Sequence, residues 1–110
     1  MNLYYKSLDP KIKEYFDGSY VNNKKHGYGN LKLNNGNTIE GIWVNNNLIH
    51  YGKITYYDES TYIGNIKHNK ANGKGVYNFL DGSVYYGVFM NDMCNGNGKL
   101  YNNNSNLLYD

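Results

Sequence analysis

A short sequence pattern returns four times along this chain, at a spacing of 23 residues and without an insertion. Each copy opens on an apolar residue, usually aromatic, has a glycine two positions later, and runs through a polar stretch to a Gly-x-Gly pair, which is His-x-Gly in the second copy. The copies begin at Phe16, Ile39, Tyr62 and Tyr85. A fixed period of this length is typical of a repeat array, in which each unit buries its apolar face against its neighbours.

Inside each unit the apolar period is two, which indicates β-strands. Phe16, Gly18 and Tyr20 fall on one face of the first half of the first unit, and residues 27–33 alternate in the same way. The polar stretch 22–26 between the halves is too short for anything but an antiparallel return. Each unit is therefore predicted to be a β-hairpin.

The connections between units contain turn dipeptides. Asn35-Gly36 and Asp81-Gly82 tolerate the positive φ of tight hairpin turns. Consecutive hairpins then form a meander, and we predict an all-β fold, an elongated, twisted, single-layer antiparallel sheet of four hairpins. Residues 15–105 hold the repeats, which start near 16, 39, 62 and 85, while 106–110 form an incomplete strand. We expect residues 1–14 to cap the first hairpin or to supply an edge strand at Leu3, Tyr4 and Tyr5.

The glycines have a packing role in this fold. A missing Cβ leaves a hollow on the sheet surface, and an aromatic ring from a neighbouring strand can lie over it. The structural glycines are Gly18, Gly29, Gly41, Gly52, Gly64, Gly75, Gly87 and Gly98. The rings predicted to form an aromatic stripe with them are Phe16, Tyr20, Trp43, Tyr62, Tyr77, Tyr85 and Phe89. This stripe is either a self-packing core or a groove that holds a partner's helix or extended segment.

The frame resembles the MORN (membrane occupation and recognition nexus) repeat. The match is close at residues 62–66, Tyr-Ile-Gly-Asn-Ile, followed by Gly73-Lys74-Gly75 and Asp81-Gly82. The departures lie mainly in the second unit, at Ile39, His50 and Glu59, and weaken the regularity near its turns. The resemblance implies protein–protein interaction at cytoskeletal or membrane-associated structures, phosphoinositide binding in some members, and dimerisation through terminal repeats.

Composition limits the other classes of function. The net charge of +2 is small and all 11 basic residues are lysine, so the bidentate arginine contacts used to read nucleic acid are absent. The single cysteine, Cys94, is expected as an inert, exposed thiol in the fourth hairpin's loop, and it suits a reducing compartment. The N-terminal residues have no signal-peptide core, and we expect a cytoplasmic protein. His26, His50 and His68 occupy three different frame positions, so we predict no metal site, no cofactor and no enzyme activity.

The opposite face of the sheet is predicted to carry an apolar patch, which usually means a partner or a covering segment. Its members are Ile63, Val76, Tyr86, Val88 and Met90. Asp17 and Glu40 share a frame position on the same face and are expected to stand near one another.

The sequence therefore predicts a non-catalytic protein-binding scaffold or adaptor. The alternative function is a peripheral membrane module that attracts anionic phospholipid through loop lysines. The lysines concerned are Lys24, Lys25, Lys67, Lys70 and Lys74. The C-terminal strand at residues 106–110 also predicts a homodimer, because an open strand edge invites pairing with another chain.

Overall fold

The computed structural model describes residues 3, 6–8, 10–11 and 13–109, and of Tyr109 the backbone alone. Nine antiparallel strands form one sheet in chain order, and no helix occurs among these residues. The strands are β1 (Tyr15–Val21), β2 (Lys24–Lys32), β3 (Thr38–Val44), β4 (Asn47–Thr55), β5 (Thr61–Lys67), β6 (Lys70–Asn78), β7 (Val84–Met90), β8 (Met93–Tyr101) and β9 (Leu107–Tyr109). The longest axis measures 48 Å against 27 and 22 Å. The predicted single-layer array of hairpins is confirmed.

A row of glycines fixes the register of the sheet. Each of the first eight strands contributes one glycine, and each is paired with the glycine of the next strand. The row runs Gly18, Gly29, Gly41, Gly52, Gly64, Gly75, Gly87 and Gly98. Directly after this row every hairpin shifts its register, as between Gly64 and Ile66. A bulge of this kind bends a strand and increases its twist.

Each hairpin closes with a two-residue turn in which both residues have positive φ. Asn22 and Asn23 have φ values of 51° and 65°, and Asn91 and Asp92 have 49° and 65°. This conformation matches the twist of the flanking strands in a type I′ turn. The five-residue loop predicted at 22–26 is therefore wrong, because β2 already begins at Lys24.

The longer connections lie between hairpins, where tight hairpin turns were expected. In each one a short side chain accepts the backbone N–H two residues later: Asp58 from Ser60 at 3.0 Å and Asp81 from Ser83 at 2.8 Å. The residue between them takes a left-handed conformation, with φ of 89° at Gly82 and 78° at Glu59. The Asp58–Ser60 bond thus holds Glu59 in the glycine's place, and the second hairpin has strands as long as the others.

One face of the sheet is buried. Its core contains five rings of the stripe together with Leu31, Leu33, Ile39, Ile54, Tyr56, Ile66 and Ala71. Tyr56, at the end of β4, donates to Asp92 in the turn after β7. These two positions are separated by three strands, so the sheet must curl toward this face. Curling is what allows a single layer to bury its rings.

The N-terminal segment adds to this core at a different place from the one expected. Leu3 is 2% exposed, and its N–H donates to the carbonyl of Asp92 at 2.9 Å, in the fourth hairpin rather than over the first. The Lys6 ammonium lies 5.4 Å from the ring centre of Tyr57. The segment thus crosses the array before it enters β1. Leu3 is in no strand, and Tyr4 and Tyr5 lie outside the described residues.

Candidate binding site

The second face of the sheet carries an open groove of about 570 Å³ that crosses the strands from β4 to β8. The backbones of four glycines of the row form its floor. Its other lining residues are Tyr51, Ile63, Lys74, Val76, Tyr86, Val88, Asn97 and Lys99. Further along the same face a cavity of about 370 Å³ shares Tyr86 and Lys99 with it.

The first wall of the groove is a row of directly paired residues. Ile63 pairs with Val76, Val76 with Tyr86, and Tyr86 with Lys99. They precede or follow the glycine row by one position, so strand alternation turns them to the face opposite the rings. Ile63 is 38% and Tyr86 49% exposed, which is large for apolar side chains in the middle of a sheet.

The second wall lies on the other side of the glycine row. Lys74 pairs with Val88, and Tyr51, at 59% exposure, stands at the end of this wall. Four residues of the predicted apolar patch line the groove: Ile63, Val76, Tyr86 and Val88. Tyr51 was not among the predicted residues, although its position next to Gly52 of the row is a signal that would have identified it. Met90 is 51% exposed but does not line the groove.

Along the row of paired residues that begins at Asp17, the charged side chains of the second face change from acidic to basic. Asp17 and Glu40 both pair with Asn30, one from each side, so the predicted proximity is indirect. Glu40 accepts a hydrogen bond from the Tyr28 hydroxyl and pairs with Lys53 on its other side. The first two hairpins therefore place carboxylates on this face, and β4, β6 and β8 place Lys53, Lys74 and Lys99 on it.

Five of the seven rings of the aromatic stripe belong to the core rather than to a surface. Trp43, Tyr62, Tyr77, Tyr85 and Phe89 are each at most 2% exposed. Their polar atoms are satisfied internally: the Trp43 Nε1–H donates to the Gly29 carbonyl at 3.2 Å, and the Tyr62 hydroxyl to that of Asn65 at 2.7 Å. These five rings cannot contact a partner in this conformation. Phe16 and Tyr20, in β1, keep accessible surface.

The lysines proposed for lipid contact fall into three places. Lys24 and Lys25 begin β2, directly after the first turn, and Lys67 and Lys70 flank the third turn. Lys74 lies apart from both, in the groove. The intervening turn of the second hairpin, Asn45-Asn46, carries no charge, so the lysines form two separate pairs rather than one cluster.

Two of the three histidines, His50 and His68, line an opening of about 420 Å³ between the second and third hairpins, beside Trp43 and Ile66. His26 is not among the residues that line this opening. The described residues contain no group of three or more metal-ligating side chains.

Cys94 lies within β8 rather than in a loop, and its side chain packs against the core, half-buried. Burial raises the pKa of its thiol, which lowers the thiolate fraction at neutral pH. The predicted exposed position in a loop is wrong, whereas the low reactivity of the thiol stays a prediction.

Asp92 is the one buried carboxylate among the described residues. Its Oδ1 accepts hydrogen bonds from the Tyr56 hydroxyl and the Ala71 N–H, both at 2.8 Å. Burial raises its pKa above the usual value, although the two hydrogen bonds and Lys70 oppose that change. Burial, and then the charge of Asp92, raise the pKa of Tyr56 in turn. The group closes the core and does not face the groove.

The fold defines a β-hairpin repeat protein, with an exposed groove on its second face. The sequence model of the MORN repeat matches residues 16–38, 62–84 and 85–106, more than half of the chain, and the chain belongs to this family. The unmatched stretch holds the departures at Ile39, His50 and Glu59. In a comparison with curated proteins, none matches.

The family sets a coarse expectation for function. MORN repeats are common in membrane- or cytoskeleton-associated proteins and are typically non-catalytic. No helix long and apolar enough to cross a bilayer occurs in the described part of the chain.

Proposed function

We propose that this protein is a non-catalytic adaptor that binds a partner protein through the groove on its second face. The observation that carries the proposal is the exposure of Ile63, Tyr51 and Tyr86 around a recess of about 570 Å³. Apolar patches with polar neighbours mark interaction sites on soluble domains. The ring side is closed, so the second face is the larger apolar surface left for a partner.

The proposed setting follows from the family. We place the adaptor on the cytoplasmic side of the cell, at cytoskeletal or membrane-associated structures, in line with the proteins in which these repeats are common. A rigid sheet suits such a role, because its groove is already formed and binding orders few additional side chains.

Affinity purification from the native cell tests this function with a matched pair of variants. Tyr86→Asp places a charge in the groove, whereas Tyr15→Asp makes the same change at a tyrosine 58% exposed in β1, outside it. The wild-type chain and the Tyr15 variant should retain a specific partner that the Tyr86 variant loses. Circular dichroism checks that both variants are folded. Equal recovery by all three proteins would refute the groove as the binding surface.

A second candidate function is attraction to anionic phospholipid, favoured by the exposed Lys24 and Lys67. Both adjoin two-residue turns, which lie along the same edge of the meander. Sedimentation with phosphatidylserine vesicles at 50 mM and 300 mM NaCl tests it. Binding that vanishes in Lys24→Ala/Lys67→Ala but persists in Lys11→Ala/Lys13→Ala supports this candidate. Equal sedimentation of the wild-type chain and both double variants excludes lipid attraction through Lys24 and Lys67.

A further inference from the structure

Four asparagines of this chain are followed directly by glycine. They are Asn35, Asn72, Asn95 and Asn97. Asparagine is a thermolabile residue, and a glycine after it favours loss of the side-chain amide, because no Cβ hinders the approach of the glycine nitrogen. The sequence gives the four dipeptides equal standing, so the fold determines which of them reacts in the native chain.

The reaction consumes only water. The backbone nitrogen of the glycine loses its proton and bonds to Cγ of the asparagine, the Cγ–Nδ2 bond breaks, and Nδ2 leaves with that proton as ammonia. Water then opens the succinimide ring. Opening at Cγ gives aspartate, and opening at the main-chain carbonyl gives isoaspartate, whose backbone runs through Cβ and Cγ. The first step requires the backbone to rotate, so its rate follows local opening of the fold.

The dipeptide after β2 is held by its turn. The Gly36 N–H donates to the Leu33 carbonyl at 3.0 Å, so the attacking nitrogen is engaged. The Oδ1 of Asn35 accepts the Asn37 N–H at 2.9 Å, which fixes the other reacting group. Both bonds must break before Cγ and the nitrogen can meet, and we expect Asn35 to react slowly.

The dipeptide Asn97-Gly98 is held by the glycine row. Gly98 pairs with Gly87 of β7. The ring of Tyr85 covers it so closely that a Cβ on Gly98 would lie 2.1 Å from the Tyr85 hydroxyl oxygen. Tyr85 is a core residue at 2% exposure, so rotation of the backbone here disturbs the core and requires a larger opening.

The third and fourth units carry an Asn-Gly dipeptide at the same frame position, where each hairpin shifts its register. In the third unit the next hairpin covers the dipeptide. Gly73 pairs with Phe89 of β7, and the Asn72 Nδ2 donates to the Asn91 Oδ1 at 3.4 Å. A Cβ on Gly73 would lie 3.0 Å from the side chain of Asn65, so this position is also crowded.

In the fourth unit no described strand covers the dipeptide. Asn95 and Gly96 are exposed, and they lie between the pairs that Cys94 and Gly98 make with β7. On the other side, β9 pairs with β8 only at residues 100–101. A Cβ on Gly96 would meet no atom within 4 Å. Among the described residues, the dipeptide therefore has a ladder partner on neither side.

We propose that Asn95 is a site of spontaneous deamidation in the native protein, selected by the fold from the four Asn-Gly dipeptides. The unpaired bulge allows Cγ to meet the Gly96 nitrogen without the opening of a neighbouring strand. It also has room for the product. Isoaspartate lengthens the backbone between two ladder pairs rather than within a run of them, so the sheet on either side keeps its register.

Ageing of the 110-residue chain at neutral pH and physiological temperature, followed by peptide mapping, tests the proposal. Electron-transfer fragmentation locates each deamidated residue and distinguishes isoaspartate from aspartate. In the folded chain Asn95 should react at least about ten times faster than each of the other three asparagines. In urea the four rates should converge, because the fold no longer protects three of them.

A matched pair of variants checks the assignment by ion-exchange chromatography, which resolves the acidic product. Asn95→Gln should remove most of the acidic fraction that forms on ageing, because glutamine must close a larger ring and reacts far more slowly. Asn72→Gln, at the same frame position one unit earlier, should leave that fraction unchanged. The isolated acidic fraction should melt within about 4 °C of the unaged chain, since the bulge accommodates the longer backbone.

Each alternative outcome contradicts a particular step. Equal rates at Asn95 and Asn72 in the folded chain would refute selection by the fold. A rate at Asn95 that exceeds the others in urea as well would assign it to local sequence and overturn the proposal. An Asn95 that stays intact in the folded chain while the unfolded chain deamidates would refute the site. A larger fall in the melting temperature of the acidic fraction would refute accommodation of the product by the bulge.

Discussion

The hydroxyl of Tyr56 donates a 2.8 Å hydrogen bond to Asp92, 36 positions further along the chain. The bond joins the end of the second hairpin to the turn of the fourth. Asp92 also donates its N–H to the Ala71 carbonyl at 3.1 Å and accepts the N–H of Leu3 on its own carbonyl at 2.9 Å. One residue therefore connects three hairpins and the N-terminal segment. It holds the curl that buries the aromatic stripe.

Two substitutions of Asp92 should distinguish the contribution of its hydrogen bonds to stability from the contribution of its charge. Asp92→Ala leaves two buried donors, on Tyr56 and Ala71, without an acceptor, and we expect a loss of about 2–3 kcal/mol of unfolding free energy. Asp92→Asn keeps an oxygen at the same place and should stay within about 1 kcal/mol of the wild type. An asparagine already makes the equivalent hydrogen bond two repeats earlier, where the Asn46 Oδ1 accepts the Lys25 N–H at 2.8 Å. Urea unfolding measures both, and equal stability of Asp92→Ala and wild type would contradict the connecting role.

The pH dependence of stability should report the raised pKa of Asp92. A carboxyl whose pKa is higher in the folded state contributes stability that is present below its unfolded pKa, about 3.9, and lost as pH rises through the folded value. Wild type should therefore lose stability relative to Asp92→Asn as the pH rises above about 4. The comparison cancels other carboxyls, such as Asp81, whose pKa the hydrogen bonds from Ser83 lower. If the wild type instead becomes more stable relative to Asp92→Asn as the pH rises, the pKa of Asp92 is lowered in the folded state rather than raised.

Two glycines of the row should respond differently to a methyl group. A Cβ on Gly75 would lie 2.3 Å from ring atoms of Tyr62, which is fully buried and fixed by its hydroxyl. On Gly41 the nearest atom is the end of the flexible Leu48 side chain, at 2.7 Å. We expect Gly75→Ala to cost about 2–3 kcal/mol and Gly41→Ala clearly less. Thermal unfolding of both variants tests it, and equal costs would show that the ring does not set the requirement for glycine.

Trp43 and Tyr20 occupy the same frame position but differ in burial. Trp43 is 2% exposed and meets the Phe16 ring edge-on at 5.4 Å, whereas Tyr20 is 54% exposed. Trp43→Ala should lower the unfolding free energy by about 3 kcal/mol, because it leaves a cavity in the core. Tyr20→Ala should cost less than about 1 kcal/mol. Equal melting temperatures for Trp43→Ala and wild type would contradict this packing.

The repeat period and the alternation inside each unit were sufficient to predict the sheet of hairpins. The register was not predicted, because a fixed period of 23 residues is compatible with any register that every hairpin repeats. Turn chemistry was harder to assign, since Asn22-Asn23 and Asn35-Gly36 both tolerate positive φ. The two dipeptides do not show by themselves which turn closes the hairpin. The extent of β2 shows it, because this strand begins at Lys24, directly after Asn22-Asn23.

Contacts between units that are not neighbours could not be predicted from a period. The bond between Tyr56 and Asp92 depends on the curl of the whole sheet. A signal was present, because Asp92 is the one acid in a frame position that holds asparagine in the other three units. The groove was partly predicted because strand alternation assigns its residues to a face. Lys74 was grouped with the loop lysines proposed for lipid, because the sequence does not show that it lies inside β6, in the groove.

The last prediction concerns β9, whose three residues pair with β8 at Leu100 and Tyr101 and with no further strand among the described residues. Leu107 and Leu108 are 50% and 55% exposed, and no lysine or proline protects the outer edge. An unprotected edge pairs readily with another chain, and a two-fold arrangement of two such edges closes without forming a fibre. We therefore expect the 110-residue chain to dimerise through this edge and a chain ending at Tyr101 to be monomeric. Sedimentation equilibrium compares the two, with Leu108→Lys as an edge variant of full length. A 110-residue chain that stays monomeric at high micromolar concentration would exclude this dimer.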